Sequence, residues 1–378
     1  MPSPLRVSFS QQLLYRWDII FDSHRDIRDH QNKTYYGMKK SYGVSSDVIS
    51  CFMEASDEND PCHYVTDSVV EFCANANIQS FQHNPSAVNE RIALVDDSDE
   101  QERRREYRSG LTAWELYQAL LKPRWRPKVD DAGASQLPGQ LEVPDAEIRR
   151  IFIASLDRWA VLALAATGSY HEARVLSEFI FRHLKFDPLV KARILPEGFP
   201  MFALEFHLPY FALRRHRLPQ MDVRITDSGG ALRKHEDITF LWNMDGKVDN
   251  SKTCYVYEAN LSCMVSGWDY HKWSAHFFID LYFEDLKADE DLESISDYEA
   301  HKTAGIALDP LAGGKKLREM MPRDPRNYFI LVLAIRLRKV KKEWELLVTA
   351  VDEAIRTYVR PFHFLPEIQF TLSDAYNT

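Results

Sequence analysis

Four runs, at 199–213, 238–242, 254–265 and 273–283, are dense in aromatic and β-branched residues and are separated by turn-forming residues. Side chains of that kind fit a pleated, half-buried surface, so the second half of the chain reads as antiparallel strands. A sheet of that size must have its faces covered, and the first half offers the cover: short apolar runs there alternate with stretches of helical periodicity. The expected fold class is α/β, a mixed sheet with β/α alternation in the first half and antiparallel strands in the second, flanked by helices; α+β is the alternative.

In the first half, strands are expected at 17–21, 48–52, 91–95 and 150–156. Thr66 is suited to cap a helix that turns Val69, Val70, Phe72 and Cys73 inward. Thr112 is suited to cap another that buries Leu116, Leu120 and Leu121 and stops at Pro123 and Pro127. Two helical stretches follow Arg158, broken near Gly168, the second with Leu176, Phe179, Ile180 and Leu184 on one side; Pro196-Glu197-Gly198 marks a turn. Near the end Phe329, Leu333, Leu337, Val340, Trp344, Leu347, Val351 and Ile355 form the stripe of a long amphipathic helix, with a basic run at 336–342 on its outer face. The parts expected are 1–128, a linker at 129–144 with its flexible stretch at 130–139, and 145–378, together one compact unit.

A net charge of -9 argues against generic binding to DNA or other polyanions, because such affinity comes from Lys and Arg neutralising phosphates. The five cysteines form an odd set without Cys-x-x-Cys pairs, as expected of reduced thiols in a cytoplasmic protein. No signal peptide is visible, and the longest apolar runs, at 159–167 and 328–335, are about half of the ~20 residues that span a bilayer, so no membrane insertion is expected.

The concentrated chemical signal is Asp96-Asp97-Ser98-Asp99-Glu100 at the end of the 91–95 strand, followed by an arginine cluster. If the chain turns helical there, Asp96, Asp97 and Glu100 converge on one patch that wants a cation, either a divalent metal or a guanidinium. A solvated loop paired with the downstream arginines is the alternative. Arg103, Arg104, Arg105, Arg108, Lys122, Arg124, Arg126 and Lys128 then set eight cations against Glu102, Glu106 and Glu115. Tyr107, Trp114, Tyr117 and Trp125 are interleaved, a composition that grips phosphates and stacks bases of single-stranded RNA, or else a helix with ordinary ion pairs. Strand alternation puts Glu205 and His207 on the face opposite Leu204 and Phe206; Tyr257, Glu258 and Asp280 are further polar groups in apolar strands, where a structural hydrogen bond competes with a catalytic role. There is no Gly-x-Ser-x-Gly elbow and no Gly-x-x-x-x-Gly-Lys-Ser/Thr nucleotide loop.

Asp96, Asp97 and Glu100 match the Asp-Asp-x-x-Glu box of the fungal arginine-containing cyclodipeptide synthases, which the chain resembles from Val95 onward. The segments at 150–153, 199–210 and 257–259 also resemble a broad group of fungal proteins labelled CorA-like, although the transmembrane pair that magnesium transport needs has no counterpart here. The box is similar, too, to that of terpene synthases, but those are wholly helical and carry a second metal motif. The synthase resemblance implies an enzyme that takes arginine from arginyl-tRNA and a second aminoacyl group from another tRNA and joins them as a cyclo-Arg-Xaa 2,5-diketopiperazine, a secondary metabolite. It implies no cofactor and no ATP, since an aminoacyl ester is already activated; orientation, proton removal and oxyanion stabilisation suffice. Under it, Asp96, Asp97 and Glu100 recognise the arginyl group, the cations from Arg103 to Lys128 hold the tRNA acceptor end, and Glu205, His207, Tyr257 and Glu258 are candidates for proton transfer. Bacterial cyclodipeptide synthases use a covalent serine; no serine here aligns with it. The rival reading is a noncatalytic cytosolic interaction protein of the CorA-like group.

Overall fold

A computed structural model describes residues 19–21, 32–43, 47–55, 63–107, 110–125, 143–195, 200–226, 229–240, 253–284, 295, 298 and 307–359. Its centre is an eight-stranded mixed sheet. The strands are β1 (Arg91–Ser98), β2 (Leu111–Thr112), β3 (Ile148–Ala154), β4 (Leu189–Leu195), β5 (Met201–His216), β6 (His235–Asp237), β7 (Thr253–Gly267) and β8 (Trp273–Ile279). They lie in the order β2-β1-β3-β8-β7-β5-β4, with β6 on β7. The one parallel pair among them is β3 with β8, so the sheet joins strands of the two halves there and the other pairings are antiparallel.

One face is covered by α1 (Tyr35–Ser41), α2 (Val48–Met53), α3 (His63–Phe72), α4 (Ile78–Phe81), α5 (Pro85–Asn89), α6 (Ala113–Leu121), α7 (Arg158–Thr167) and α8 (Ala173–Lys185). The other is covered by α9 (Pro325–Val359), whose Phe329 packs on Phe206 of β5. α7 is buried on all sides from Trp159 to Ala166, which is why its run is apolar without a polar stripe. Its C-cap, Gly168, has no room for a side chain: a Cβ there would lie 2.8 Å from the Phe52 ring and 3.0 Å from the Leu164 carbonyl oxygen. Thr112 and Glu115 form a reciprocal capping box on α6.

Several expectations change. The 48–52 run is helix α2, capped by the Asp47 side chain, and 19–21 is a turn of 3-10 helix rather than strand; 17–18 lie outside the described residues. α3 starts at His63, so Thr66 sits inside it. Leu121 is exposed. The strand expected at 238–242 does not form at 238–240, which follow the short strand β6 at His235–Asp237, and 241–242 lie outside the described residues; β8 ends at Ile279 because Asp280 turns into an ion-pair cluster. On α9, Leu337, Trp344 and Ile355 are exposed while Arg336 of the basic run is buried, its guanidinium 4.3 Å from the Phe277 ring and donating to the carbonyls of Leu311 and Pro310. The 130–139 stretch and the 196–198 turn lie outside the described residues.

Asp157 caps α7 by accepting from the Ala160 N–H at 2.8 Å, and desolvation pushes its pKa up to about 6. The folded value lies above the unfolded one, so the ionised group costs stability above pH 6 and the cost vanishes below pH 4. Asn caps as well as Asp. Asp157→Asn is therefore expected to raise stability at pH 7.5 by about 1–2 kcal/mol, a discounted figure because the side chain keeps some solvent contact. The gain should disappear in urea unfolding at pH 4.

Candidate functional site

The acidic box is not a helical turn. β1 continues through Asp96, Asp97 and Ser98, which pair with Arg150, Arg149 and Ile148 of β3, so the period is two and the first two carboxylates project to opposite faces. On the helical face Asp97, fully buried, accepts from Arg149 Nε and Nη2 at 2.8 Å each and from the Tyr107 hydroxyl at 2.6 Å, with Arg105 Nη1 at 3.8 Å. Burial alone would raise its pKa; the Arg149 guanidinium overrides that and holds it below the usual carboxylate range. On the α9 face Asp96 accepts from Arg150 Nη1 at 2.9 Å and from Arg318 Nε, while Arg150 Nε lies 3.7 Å from buried Asp309. Glu100 lies past the strand, exposed, 4.0 Å from His271. The three carboxylates do not converge, and among the described residues no group of His, Cys, Asp and Glu is placed to hold a metal ion.

The basic segment is also largely internal. Arg105 donates to the carbonyls of Pro123, Arg124 and Pro144, and Arg124 to those of Ala146, Glu147 and Trp273 and to the Ser274 hydroxyl. Arg103 binds Asp99 at 2.7 Å, Arg104 is half-buried 3.7 Å from Glu319, and Lys122 lies over the Tyr107 ring. Arg108, Arg126 and Lys128 lie outside the described residues. Trp125 is buried, and Trp114 and Tyr117, partly buried, pack on Phe81 against the core, so these three serve packing rather than form an open stacking platform.

Arg149 and Arg124 instead form one wall of a cleft of about 90 Å³, lined also by Glu172, Trp268, Ser169, Thr167, Thr34 and Asn32 and rimmed by Lys33 and Lys122. Glu172, buried before α8, accepts from the Ser169 hydroxyl at 3.2 Å and the Ser266 hydroxyl at 3.1 Å. Burial opposes its ionisation, but His276 and Arg124 outweigh it and keep its pKa low. Arg124 is held down to about 10 by burial and by Arg149.

Farther along the same face, Glu205 and His207 lie together and opposite Leu204 and Phe206, as the alternation requires. His207 Nδ1 is 2.8 Å and His183 Nδ1 2.9 Å from the Ser262 hydroxyl; behind them Glu205 is 3.9 Å from His207 Nε2 and Asp280 is 3.6 Å from His183 Nε2. Burial lowers both imidazole pKa values, that of His183 to about 4, so both are neutral at pH 7. One hydroxyl proton can serve one of them; the other must donate its own Nδ1–H to the serine oxygen. The arrangement is that of a nucleophile, yet Glu205, His207, His183, Ser262 and Asp280 are all 0% exposed, so it acts as a strut between α8 and the sheet.

Tyr257 and Glu258 point to opposite faces and away from the cleft. The Tyr257 hydroxyl accepts from the Gln220 N–H and lies 3.0 Å from His216 Nδ1, and Glu258 accepts from the Lys234 N–H. Sequence reasoning missed Arg149, Glu172, Trp268, His183 and Ser262. One signal was present: Arg149-Arg150 inside an apolar strand require buried counter-charges, and Asp96-Asp97 is the matching pair.

The described chain is thus a mixed α/β protein with a layer of buried polar groups beneath its helices and a cation-lined cleft at one end of that layer. Comparison with family models, curated proteins and solved structures finds no match. Among the described residues no helix is long and apolar enough to cross a membrane.

Proposed function

We propose that this chain is a tRNA-dependent cyclodipeptide synthase, joining arginine from arginyl-tRNA with a second aminoacyl group as a cyclo-Arg-Xaa diketopiperazine. The observation that carries the reading is the Asp97–Arg149 pair: a carboxylate of the Asp-Asp-x-x-Glu box clamps a cation that lines the cleft. Asp97 and Asp96 are then positioning residues, each fixing an arginine of β3. Glu172 is the carboxylate that lines the cleft, ionised and suited to the arginyl guanidinium or an α-ammonium. Exposed Arg103 and Lys122, with half-buried Arg104, supply the outer surface for the acceptor stem. Such an enzyme needs no nucleotide site, because the ester bond carries the activation and the protein's task is to orient amine against carbonyl.

Purified protein given arginyl-tRNA and a full set of charged tRNAs should release a cyclo-Arg-Xaa product detectable by mass spectrometry. Glu172→Gln should lower its rate about 10–100-fold, and, the side chain being buried and hydrogen-bonded, should also cost about 1–3 kcal/mol in urea unfolding. A wild-type protein that makes no cyclic dipeptide from any tRNA set removes the enzymatic reading and leaves that of an interaction protein.

A further inference from the structure

The cleft has a one-sided shortage. Its acceptors are engaged: Asp97 behind the wall is saturated by Arg149 and Tyr107, and Glu172 takes the Ser169 and Ser266 hydroxyls. Its donors are not. Arg149, only 9% exposed, uses Nε and Nη2 on Asp97, and among the described residues Nη1 makes no hydrogen bond. The Trp268 indole N–H is buried, with no acceptor among the described residues. Among the described residues neither Lys33 nor Lys122 is paired with a carboxylate, the latter making a cation–π contact alone. Arg124, 6% exposed, spends four of its five N–H donors on carbonyls and a hydroxyl, and among the described residues no carboxylate is hydrogen-bonded to its buried charge.

Four cations therefore stand against the two carboxylates Asp97 and Glu172, and the groups lacking partners are N–H donors. Buried Arg124 and Arg149 balance Asp97 and Glu172, so the excess is carried by exposed Lys33 and Lys122 at the rim, and unmet N–H donors beside them suit an acceptor-rich anion better than a neutral ligand. A singly charged carboxylate would offset half of the excess; a phosphate offsets more and offers oxygens to several donors at once. At about 90 Å³ the cleft has room for a group of that size, against ~10–15 Å³ for one water.

We infer that the cleft is a phosphate-binding site with Arg149 Nη1, Lys33 and Lys122 as its donors; resting on the synthase reading, its natural occupant is a phosphodiester near the 3′ end of a single-stranded RNA. Lys33 and Lys122 are exposed, so replacing both leaves the core intact. The test is calorimetric titration of wild type and Lys33→Ala/Lys122→Ala with inorganic phosphate and with the ribotrinucleotide CCA, at several salt concentrations. Wild type should bind phosphate saturably, the double variant at least ~10-fold more weakly, and the trinucleotide should compete with phosphate. The salt slope for the trinucleotide should fall by up to about 0.7 in the variant, for one phosphate no longer neutralised. Phosphate bound without competition by CCA supports the site and assigns it a free phosphate or phosphorylated metabolite. No saturable phosphate binding, or equal binding by the double variant, overturns the inference. Neither result depends on product formation: an inactive wild type that binds phosphate sinks the synthase reading alone, and an active wild type that binds none sinks the phosphate site alone.

Discussion

Asp97→Asn should cost the fold about 3–5 kcal/mol, the usual consequence of leaving a buried charge without its partner. The Asp97 carboxylate is fully buried and Arg149 nearly so, and their two bonds of 2.8 Å are bidentate. The asparagine amide can accept at one atom only, so its nitrogen would face an arginine N–H whichever way it turned, Nε on one side or Nη2 on the other, donor against donor. Arg149→Met leaves the opposite orphan, an ionised carboxylate, and should be of similar cost. The double variant Asp97→Asn/Arg149→Met should recover at least ~2 kcal/mol of the summed loss, since apolar replacement of a whole buried pair is much milder than removal of one member. Glu100→Gln, at an exposed position past the strand, should shift stability by less than about 0.5 kcal/mol. Urea unfolding of the four variants gives all the terms. If Asp97→Asn and Glu100→Gln shift the midpoint equally, the box is a surface feature after all.

That contrast within five residues marks how far the sequence could be read. The long strands β5 and β7 announced themselves because fifteen consecutive register pairs need sustained β-branched and aromatic patterning on both strands. α6 was legible from its cap, and the α7–α8 break from Gly168. The 48–52 run was not, because five residues, four of them apolar, carry no period; what decides it is Asp47, a side chain accepting from the Ile49 N–H. The box failed for a different reason. Its conformation is set by Arg149 and Arg150, more than fifty residues away, and local spacing alone made a helical turn look equally sound. The basic segment failed because arginine serves as a buried cross-link between carbonyls as readily as a surface charge, which Arg105, Arg124 and Arg336 all illustrate.

Asp280→Asn should be at least as damaging, again about 3–5 kcal/mol, and for a reason that can be counted. Asp280 accepts from Arg224 Nη1 at 2.7 Å, Arg233 Nε at 2.7 Å and the Asn260 N–H at 2.8 Å, and faces His183 Nε2. These are donors on three sides, and an amide has one oxygen to offer them. Arg224 would keep Asp222, which takes its Nε and Nη2, but Arg233 would be left with the carbonyls of His183 and Leu184 and no carboxylate on its side chain. The pH dependence separates this ion-pair account from simple loss of packing. Burial would raise the Asp280 pKa, yet Arg224 and Arg233 drive it well below the ordinary value. A depressed folded-state pKa means the contribution is fully present above the unfolded value near 4 and is lost as pH falls below it. The gap between wild type and Asp280→Asn in urea unfolding should therefore be constant from pH 8 to pH 5 and narrow only in stronger acid. Were the gap instead to close between pH 7 and 5, the titrating group would be a histidine such as His183, and Asp280 would not be the charge that holds Arg233 inside the fold.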